Sequence, residues 1–405
     1  MRTELYLKKA DCCGCGACMN ACKIHAIEMK PDENGFLYPQ IDFGKCINCG
    51  KCKEVCLYQK LVPQKSNKET YAAATISTDP MKSASGGIFA SLAKKILQSS
   101  GIVYGCAMLY EHGKLFPRHI AITDEKDLKL LQGSKYVQST IGVTYQEVKK
   151  NLLSRRLVLF SGTPCQVAGL KGFLGKEYDN LFTIDLICHG VPSVQMFQDY
   201  IRFIEQKKNK KVIEYKFRDK KNGWKLLGKM VFEDSNGDME ESFFEPEESS
   251  YYQLFLNGYN YRENCYSCPF ACDNRQGNIT IGDYWCIDLV CPEMLIQNKG
   301  VFDENKGISC LIINDEHGKE MLDVYGEGIQ KVLSTYESVA KYNAQLNHPV
   351  TLKPERIEVM SKYAQGYESV EKWYKARLIP IKAKRFIRRL VPRKIKTLIK
   401  IFINQ

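Results

Sequence analysis

The chain has 405 residues, 44% of them hydrophobic and 26% charged, enough apolar material for two or three domain cores and too much for a disordered chain. Its 29 glycines and 14 prolines exclude a collagen-like repeat, and no run of 18 apolar residues offers a membrane-spanning helix. The net charge of +12 is local: eleven basic residues and no acid fall between Lys375 and Gln405, so the body is nearly neutral and no nucleic-acid partner is expected. The first residues, MRTELYLKKADCCGCG, lack an apolar signal core, which makes a cytoplasmic location the expectation. In that compartment 18 cysteines point to metal or redox chemistry rather than disulfides.

Nine cysteines lie in the first 56 residues, eight of them as Cys12-x2-Cys15-x2-Cys18-x3-Cys22 and Cys46-x2-Cys49-x2-Cys52-x3-Cys56. Three thiolates spaced by two residues wrap three corners of a cubane, and the fourth of each run ligates the other cluster. The expected ligand sets are Cys12, Cys15, Cys18 and Cys56 for one 4Fe–4S cluster, and Cys46, Cys49, Cys52 and Cys22 for the second. Gly14, Gly16 and Gly50 suit a backbone wrapped closely round a cluster. Zinc, the alternative, usually takes CxxC pairs separated by a longer loop. Cys13 is left over and reads as a bystander. The segment resembles a bacterial two-cluster ferredoxin domain, including Ala26-Ile27 and Gly35-Phe36-Leu37-Tyr38-Pro39. Lys23 and Leu57 stand where such ferredoxins usually carry proline, which removes no ligand.

Residues 57–70 are polar, contain a proline and read as a linker. Beyond it, strands are expected at Tyr71–Ile76, Ile102–Leu109, Leu157–Ser161, Leu181–Ile187, Asn278–Ile281 and Leu311–Ile313. Helices are expected over Gly87–Gln98, after Cys165 and over Glu316–Tyr325. Val212–Phe217 and Leu226–Phe232 read as a β insertion. This alternation argues for an α/β domain with a mainly parallel sheet beside a small α+β ferredoxin-like domain. The expected divisions are 1–62, 71–345 and a helical region 346–405. The aromatic-rich stretch 329–374 reads as helical and packed on the core.

Chemistry collects where these strands end. Ser83-Ala84-Ser85-Gly86-Gly87 precedes a helix, where small residues let backbone N–H groups approach a phosphate; a plain helix cap is the alternative. Gly133-Ser134-Lys135-Tyr136 adds a hydroxyl, a cation and a ring suited to a pyrophosphate or flavin; no GxGxxG fingerprint exists in the chain. Cys165, in GTPCQ, and Cys188, in CHGVPS, sit at the carboxyl ends of two strands, the edge at which open α/β sheets bind ligands. Cys265-x2-Cys268-Pro269-x2-Cys272 follows. Cys165, Cys188, Cys265 and Cys268 are therefore assigned to a third 4Fe–4S cluster, with Cys272 as substitute. A catalytic thiol at Cys165 and a zinc site on the CxxC pair are the alternatives. Cys106, Cys286, Cys291 and Cys310 read as small buried hydrophobes.

The tail, 379–403, alternates Phe386, Ile387, Leu390, Val391, Ile395, Leu398, Ile399 and Phe402 with basic residues. It reads as a helix pair lying on an anionic membrane surface, with a disordered end or an acidic partner as alternatives.

SASGG, QGSKYVQS, GTPCQVAGLK, CHGVPS, CYSCPFA and ITIGDYW occur in the order found in the coenzyme F-420 hydrogenase/dehydrogenase beta-subunit family, which the chain resembles over about residues 1–310. The resemblance implies an oxidoreductase: FAD on the α/β domain beside a 4Fe–4S cluster, passing electrons between clusters, flavin and a substrate such as a deazaflavin. The candidate cofactor contacts are Ser83, Ser85, Gly86, Gly87, Ser134, Lys135, Tyr136 and Thr163, and the candidate catalytic residues are His189 and Lys135. A flavin also suits the chemistry, since clusters move one electron and hydride chemistry two. The expected partner is an electron-carrier protein or a small redox substrate, with a link to polysaccharide synthesis at a membrane by analogy alone. An electron-relay subunit without its own substrate and a zinc-binding interaction protein are the competing readings.

Overall fold

The computed structural model describes residues 4–60 and 68–390, with 379–390 as backbone only. The N-terminal part is built on two antiparallel strands, β1 (Ile27–Pro31) and β2 (Leu37–Ile41), with Ile27 opposite Ile41. The turn between them is held by the Asp32 carboxylate, which accepts from the N–H groups of Asn34 and Phe36 at 3.0 and 2.9 Å. Each cysteine run winds into a short helix, Ala17–Ala21 or Lys51–Glu54, started by a left-handed glycine, Gly16 or Gly50, with φ of 75° at each.

The large sheet comprises β3 (Thr70–Thr75), β4 (Ile102–Glu111), β5 (Lys114–Ile122), β6 (Val158–Gly162), β7 (Leu181–Leu186) and, beyond an insertion, three later strands. The insertion is an antiparallel sheet of β8 (Lys211–Asp219), β9 (Leu227–Glu233) and β10 (Met239–Phe244). β11 (Ile279–Asp283), β12 (Ser309–Ile313) and β13 (Ile329–Ser334) then complete the order β13-β3-β12-β11-β7-β6-β4-β5. The four central strands β11, β7, β6 and β4 are parallel, and the flanking pairs are antiparallel. An α/β domain with a parallel centre is thus what the apolar runs specify: β6 is buried at all five positions, as a strand covered on both faces must be. Helix Ile88–Gln98 contributes Ile88, Leu92, Ile96 and Leu97 to the core on one face. Val167, Leu170 and Leu174 of helix Pro164–Leu174 join that on the other.

Two edge strands differ from expectation. β5 pairs with β4 through His112 and Gly113, both at positive φ as a tight hairpin turn requires; Pro117 is tolerated because this is the edge of the sheet. Residues 329–334, read as helical, form β13 at the opposite edge, where Ile329 and Val332 pack on opposite faces. Further on, the helical reading holds: Val359, Tyr363, Tyr367, Val370, Trp373 and Tyr374, from helices Pro354–Tyr363 and Tyr367–Leu390, pack against the insertion and helix Val194–Lys208. Of the basic tail, residues 391–405 lie outside the described residues. Among the described residues, no helix is long and apolar enough to cross a membrane.

A buried ion pair fixes the carboxyl edge of β7. The Asp185 carboxylate, fully buried, accepts from Arg275 Nη2 at 3.1 Å, from the N–H groups of Gln276 and Gly277 at 2.8 and 3.0 Å, and from Thr280 Oγ1 at 2.5 Å. Arg275 also donates to the carbonyls of Phe270 and Leu186 at 2.9 and 2.8 Å, tying the Cys265–Cys272 loop to the strand that leads to Cys188. Asp185→Ala would leave a buried guanidinium without its counter-ion, and is expected to lower stability by about 3–5 kcal/mol, read as a fall in the urea midpoint.

Candidate functional site

The thiols of the first 56 residues form two unlike groups. Cys12, Cys15, Cys18 and Cys56 meet at a small cavity of about 30 Å³. Burial raises the Cys12 thiol to about 11, with further elevation from Cys15 and Cys56; Cys18 is raised by burial and then by Cys15, Cys12 and Cys56. Such a ring resists becoming anionic until a metal supplies the compensating charge. Cys46, Cys49 and Cys52 make the second group, in which Cys52 is raised by burial and then by Cys49 and Cys46. This group faces outward, with Cys49 exposed. Cys22, its expected fourth member, accepts from the Ala26 N–H at 3.2 Å at the end of helix Ala17–Ala21, which packs on helix Lys51–Glu54.

A third ring forms from three distant segments. Cys165 lies in the first turn of helix Pro164–Leu174, where Thr163 and Gln166 make a capping box. Cys188 follows β7, and Cys265 and Cys268 flank the end of the single-turn helix Glu263–Ser267. Burial pushes Cys188 to about 12, with Cys165 and Cys268 adding to it, and Cys268 to about 12 with Cys165 adding. Cys265 is raised by burial, then by Cys188 and Cys268. Cys272 stands apart: its thiol donates to the Pro269 carbonyl at 3.2 Å. None of the 18 cysteines is in a disulfide.

Cys13 is no bystander. It is 3% exposed and lies close to the thiols of Cys15 and Cys165, one from the first group and one from the third. That contact, more than any other, holds the Cys165 thiol down to about 7. Tyr58 spans the same seam, donating to the carbonyls of Ala10 and Asn264 at 3.3 and 3.4 Å. Among the described residues, no three His, Cys, Asp or Glu groups close on a point tightly enough to hold a single ion.

Cys165 and Cys188 also line the wall of a cavity of about 550 Å³ at the carboxyl edge of β6, β7 and β11. The cavity collects Ser83–Ser85, Gly87, Gln132–Ser139, Gly162–Thr163, Cys188–Val191 and Asp283, so the separate sequence motifs share one pocket, with Gly86 of the predicted contacts outside its lining. The N-terminus of helix Ile88–Gln98 opens on it through Gly87, at φ 83°. Ser85 and Gly86 serve mainly to hold this turn: Ser85 Oγ donates to the Ile308 carbonyl at 3.0 Å, and the Gly86 N–H to Ser309 Oγ at 2.9 Å. Ser83 Oγ accepts from Gln132 Nε2 at 3.3 Å, which fastens the two motifs together. A pocket of this volume, with small residues at a helix N-terminus and aromatic rings in its lining, has the size and chemistry of a small-molecule or cofactor site.

Individual residues sort differently from expectation. The Lys135 ammonium donates to the carbonyls of Leu130, Leu131 and Gln132 at 3.2, 3.0 and 2.7 Å, capping the short helix Leu128–Leu131; burial lowers it to about 8. It is engaged with backbone rather than offered to a substrate. Tyr136 stacks on Phe255 at 4.2 Å, and Thr163 Oγ1 lies 3.2 Å from Cys165 Sγ. Ser134 and His189 line the cavity. His119, absent from the candidates, lines it too, with Nε2 3.0 Å from the Ser161 carbonyl and Nδ1 3.0 Å from Ser139 Oγ; burial drops it to about 4, so it is neutral. Its strand, β5, went unrecognised, and no local motif marks it. Near the mouth, Asp283 pairs with buried Arg218 at 2.8 Å and accepts from Trp224 Nε1 at 3.0 Å, while Trp224 and Trp285 stack in parallel at 5.4 Å.

Residues 155–336 match the C terminus of the coenzyme F420 hydrogenase/dehydrogenase beta subunit, and residues 11–60 match a 4Fe–4S dicluster domain. No curated protein matches the chain. Among solved structures, a xenon-derivatised F420-reducing [NiFe] hydrogenase complex from Methanosarcina barkeri is similar at 15% identity, over 78% of this chain and 94% of that one, with a TM-score of 0.40.

If the third ring carries a cluster, Cys268→Ser lowers bound iron by about four atoms per chain and leaves the first two clusters in place, as iron assay and low-temperature EPR would show.

Proposed function

We propose that this chain, which belongs to the coenzyme F420 hydrogenase/dehydrogenase beta-subunit family and begins with a 4Fe–4S dicluster domain, passes electrons through three 4Fe–4S clusters to or from an FAD that reacts with an organic substrate. Iron–sulfur electron transfer is the part its family shares. The single observation that supports the rest is the position of Cys165. Its helix packs on the N-terminal thiol segment through Gly169 and Val167, while Cys165 itself lines the cavity.

The path follows from burial. Cys46, Cys49 and Cys52 lie outermost and suit exchange with a carrier protein; Cys12, Cys15, Cys18 and Cys56 lie inward of them, and Cys165, Cys188, Cys265 and Cys268 adjoin the cavity. A bound flavin supplies conversion between one-electron and two-electron chemistry. The chain's own part is to hold it. Backbone at the start of helix Ile88–Gln98 faces the pyrophosphate, Gln132–Ser139 walls the pocket, and His189, beside Cys188, is the group placed to move a proton. Leu226, Phe255 and Trp285 offer a flat apolar surface to the substrate. A deazaflavin fits that surface, as does another planar two-electron carrier, including one serving polysaccharide synthesis. The basic tail, by composition, is proposed to rest on an anionic membrane.

Anaerobic assay of iron, sulfide and flavin tests this directly. About twelve iron atoms and one FAD per chain are expected. Brown protein without flavin would convert the reading to a relay for a separate catalytic partner, and a colourless protein with bound zinc would overturn it. Turnover with reduced ferredoxin and candidate acceptors separates an enzyme from a flavin-bearing relay. Deleting 375–405 is expected to abolish binding to vesicles of anionic phospholipid and to leave iron and flavin content unchanged; vesicle binding that survives the deletion would refute the membrane role.

A further inference from the structure

Arg262 is the largest fully buried side chain among the described residues, at 0% exposure. Burying a guanidinium is tolerated when a carboxylate answers it. The other buried arginines obey this: Arg218 pairs with Asp283 at 2.8 Å and Arg275 with Asp185 at 3.1 Å. Arg262 has no carboxylate within ion-pair distance among the described residues. Its Nε donates to the Cys12 carbonyl at 3.0 Å, Nη1 lies 3.4 Å from Gln138 Oε1, and Nη2 is 4.0 Å from Cys12 Sγ. The guanidinium rests 3.8 Å above the Tyr38 ring, in space kept by Gly14, where a methyl group would stand 3.0 Å from Arg262 Cζ.

The backbone places this cation between the two parts of the chain. The Arg262 N–H donates to the Val191 carbonyl at 2.9 Å, and its own carbonyl accepts from the Cys265 N–H at 3.0 Å. Its head therefore reaches into the N-terminal thiol ring while its backbone belongs to the segment that carries the third. The nearest group available to balance it is a sulfur, Cys12 Sγ at 4.0 Å from Nη2. A cubane held by four thiolates is a net anion, and gains one further negative charge on reduction. A fixed cation of full charge beside it, in a dry interior, stabilises the reduced form more than the oxidised one.

We propose that Arg262 is the built-in counter-cation of the inner clusters: a positioning residue that raises the reduction potential of the cluster on Cys12, Cys15, Cys18 and Cys56 and couples it to the ring on Cys165, Cys188, Cys265 and Cys268. This rests on the cluster reading above, which could hold while Arg262 served only as packing. Arginine suits the place because its flat fork stacks on Tyr38 while reaching two acceptors; lysine would keep the charge and lose that geometry.

The test is an EPR-monitored redox titration of the reconstituted full-length protein and of Arg262→Gln and Arg262→Lys. In Arg262→Gln the inner N-terminal cluster is expected to become about tenfold harder to reduce, a fall of about 59 mV for a one-electron couple. The outer cluster on Cys46, Cys49 and Cys52 should not move, and Arg262→Lys should recover most of the loss. An unchanged potential in Arg262→Gln, or equal shifts in both variants, overturns the proposal. If Arg262→Gln fails to take up the inner cluster, a loaded Arg262→Lys with near-native potential upholds it, and loss of the cluster from both variants overturns it. Failure of the parent reading is separately visible, because the unmutated protein would then carry no clusters to titrate.

Discussion

The two thiol-bearing parts of the chain meet because one helix surface is bare. Helix Pro164–Leu174 presents Gly169 and Gly172 to the N-terminal part, and a methyl group at these positions would lie 2.9 Å from Cys15 Sγ and 2.2 Å from the Val55 carbonyl. Two glycines inside a helix weaken it by about 1 kcal/mol each relative to alanine. The burial of Cys15, Ala17, Val55 and Ala21 against Val167 and Leu170 offsets that. The same helix carries Cys165 in its first turn, so the docking that covers its flank also sets the spacing of the first and third thiol rings. A larger side chain at either glycine would push the rings apart and leave each intact.

Around this contact the fold works as a frame. The parallel centre of the sheet brings the ends of β6, β7 and β11 to one edge, which is why GTPCQ, CHGVPS and GDYW, far apart in sequence, share a pocket. The Asp185–Arg275 pair then binds the cysteine loop to that edge without any metal. Lys135 has a comparable role on the opposite wall, where its ammonium ends the helix that leads into the Gln132–Ser139 loop. Its charge therefore supports the shape of the pocket. The Trp224–Trp285 stack, fixed by Asp283 and Arg218, shapes the mouth.

How legible this was depends on whether the physics is local. Cysteines spaced by two residues carry their geometry with them, so the N-terminal dicluster segment is legible directly, and the strand-end positions of Cys165 and Cys188 are enough to anticipate their place at the cavity. Fully apolar runs such as Val158–Gly162 likewise identify a covered strand by themselves. Edge strands do not: β13 alternates polar and apolar residues as weakly as a surface helix would, and Pro117 in β5 argues against any strand until its edge position is known. Arg262 and Cys13 were invisible for a related reason. An arginine in YNYRENCYSC and a second cysteine beside Cys12 are unremarkable until tertiary contact brings them to the seam.

The rings differ in how they must be made. Cys12 through Cys56 come from one short stretch near the N-terminus, so iron and sulfide can be delivered there while the remainder of the polypeptide is still being synthesised. Cys165, Cys188, Cys265 and Cys268 converge only once β6, β7 and the loop before β11 have assembled. Under the proposed reading, a cluster on the third group would therefore have to wait for the folded sheet, whereas the N-terminal thiols need only their own segment.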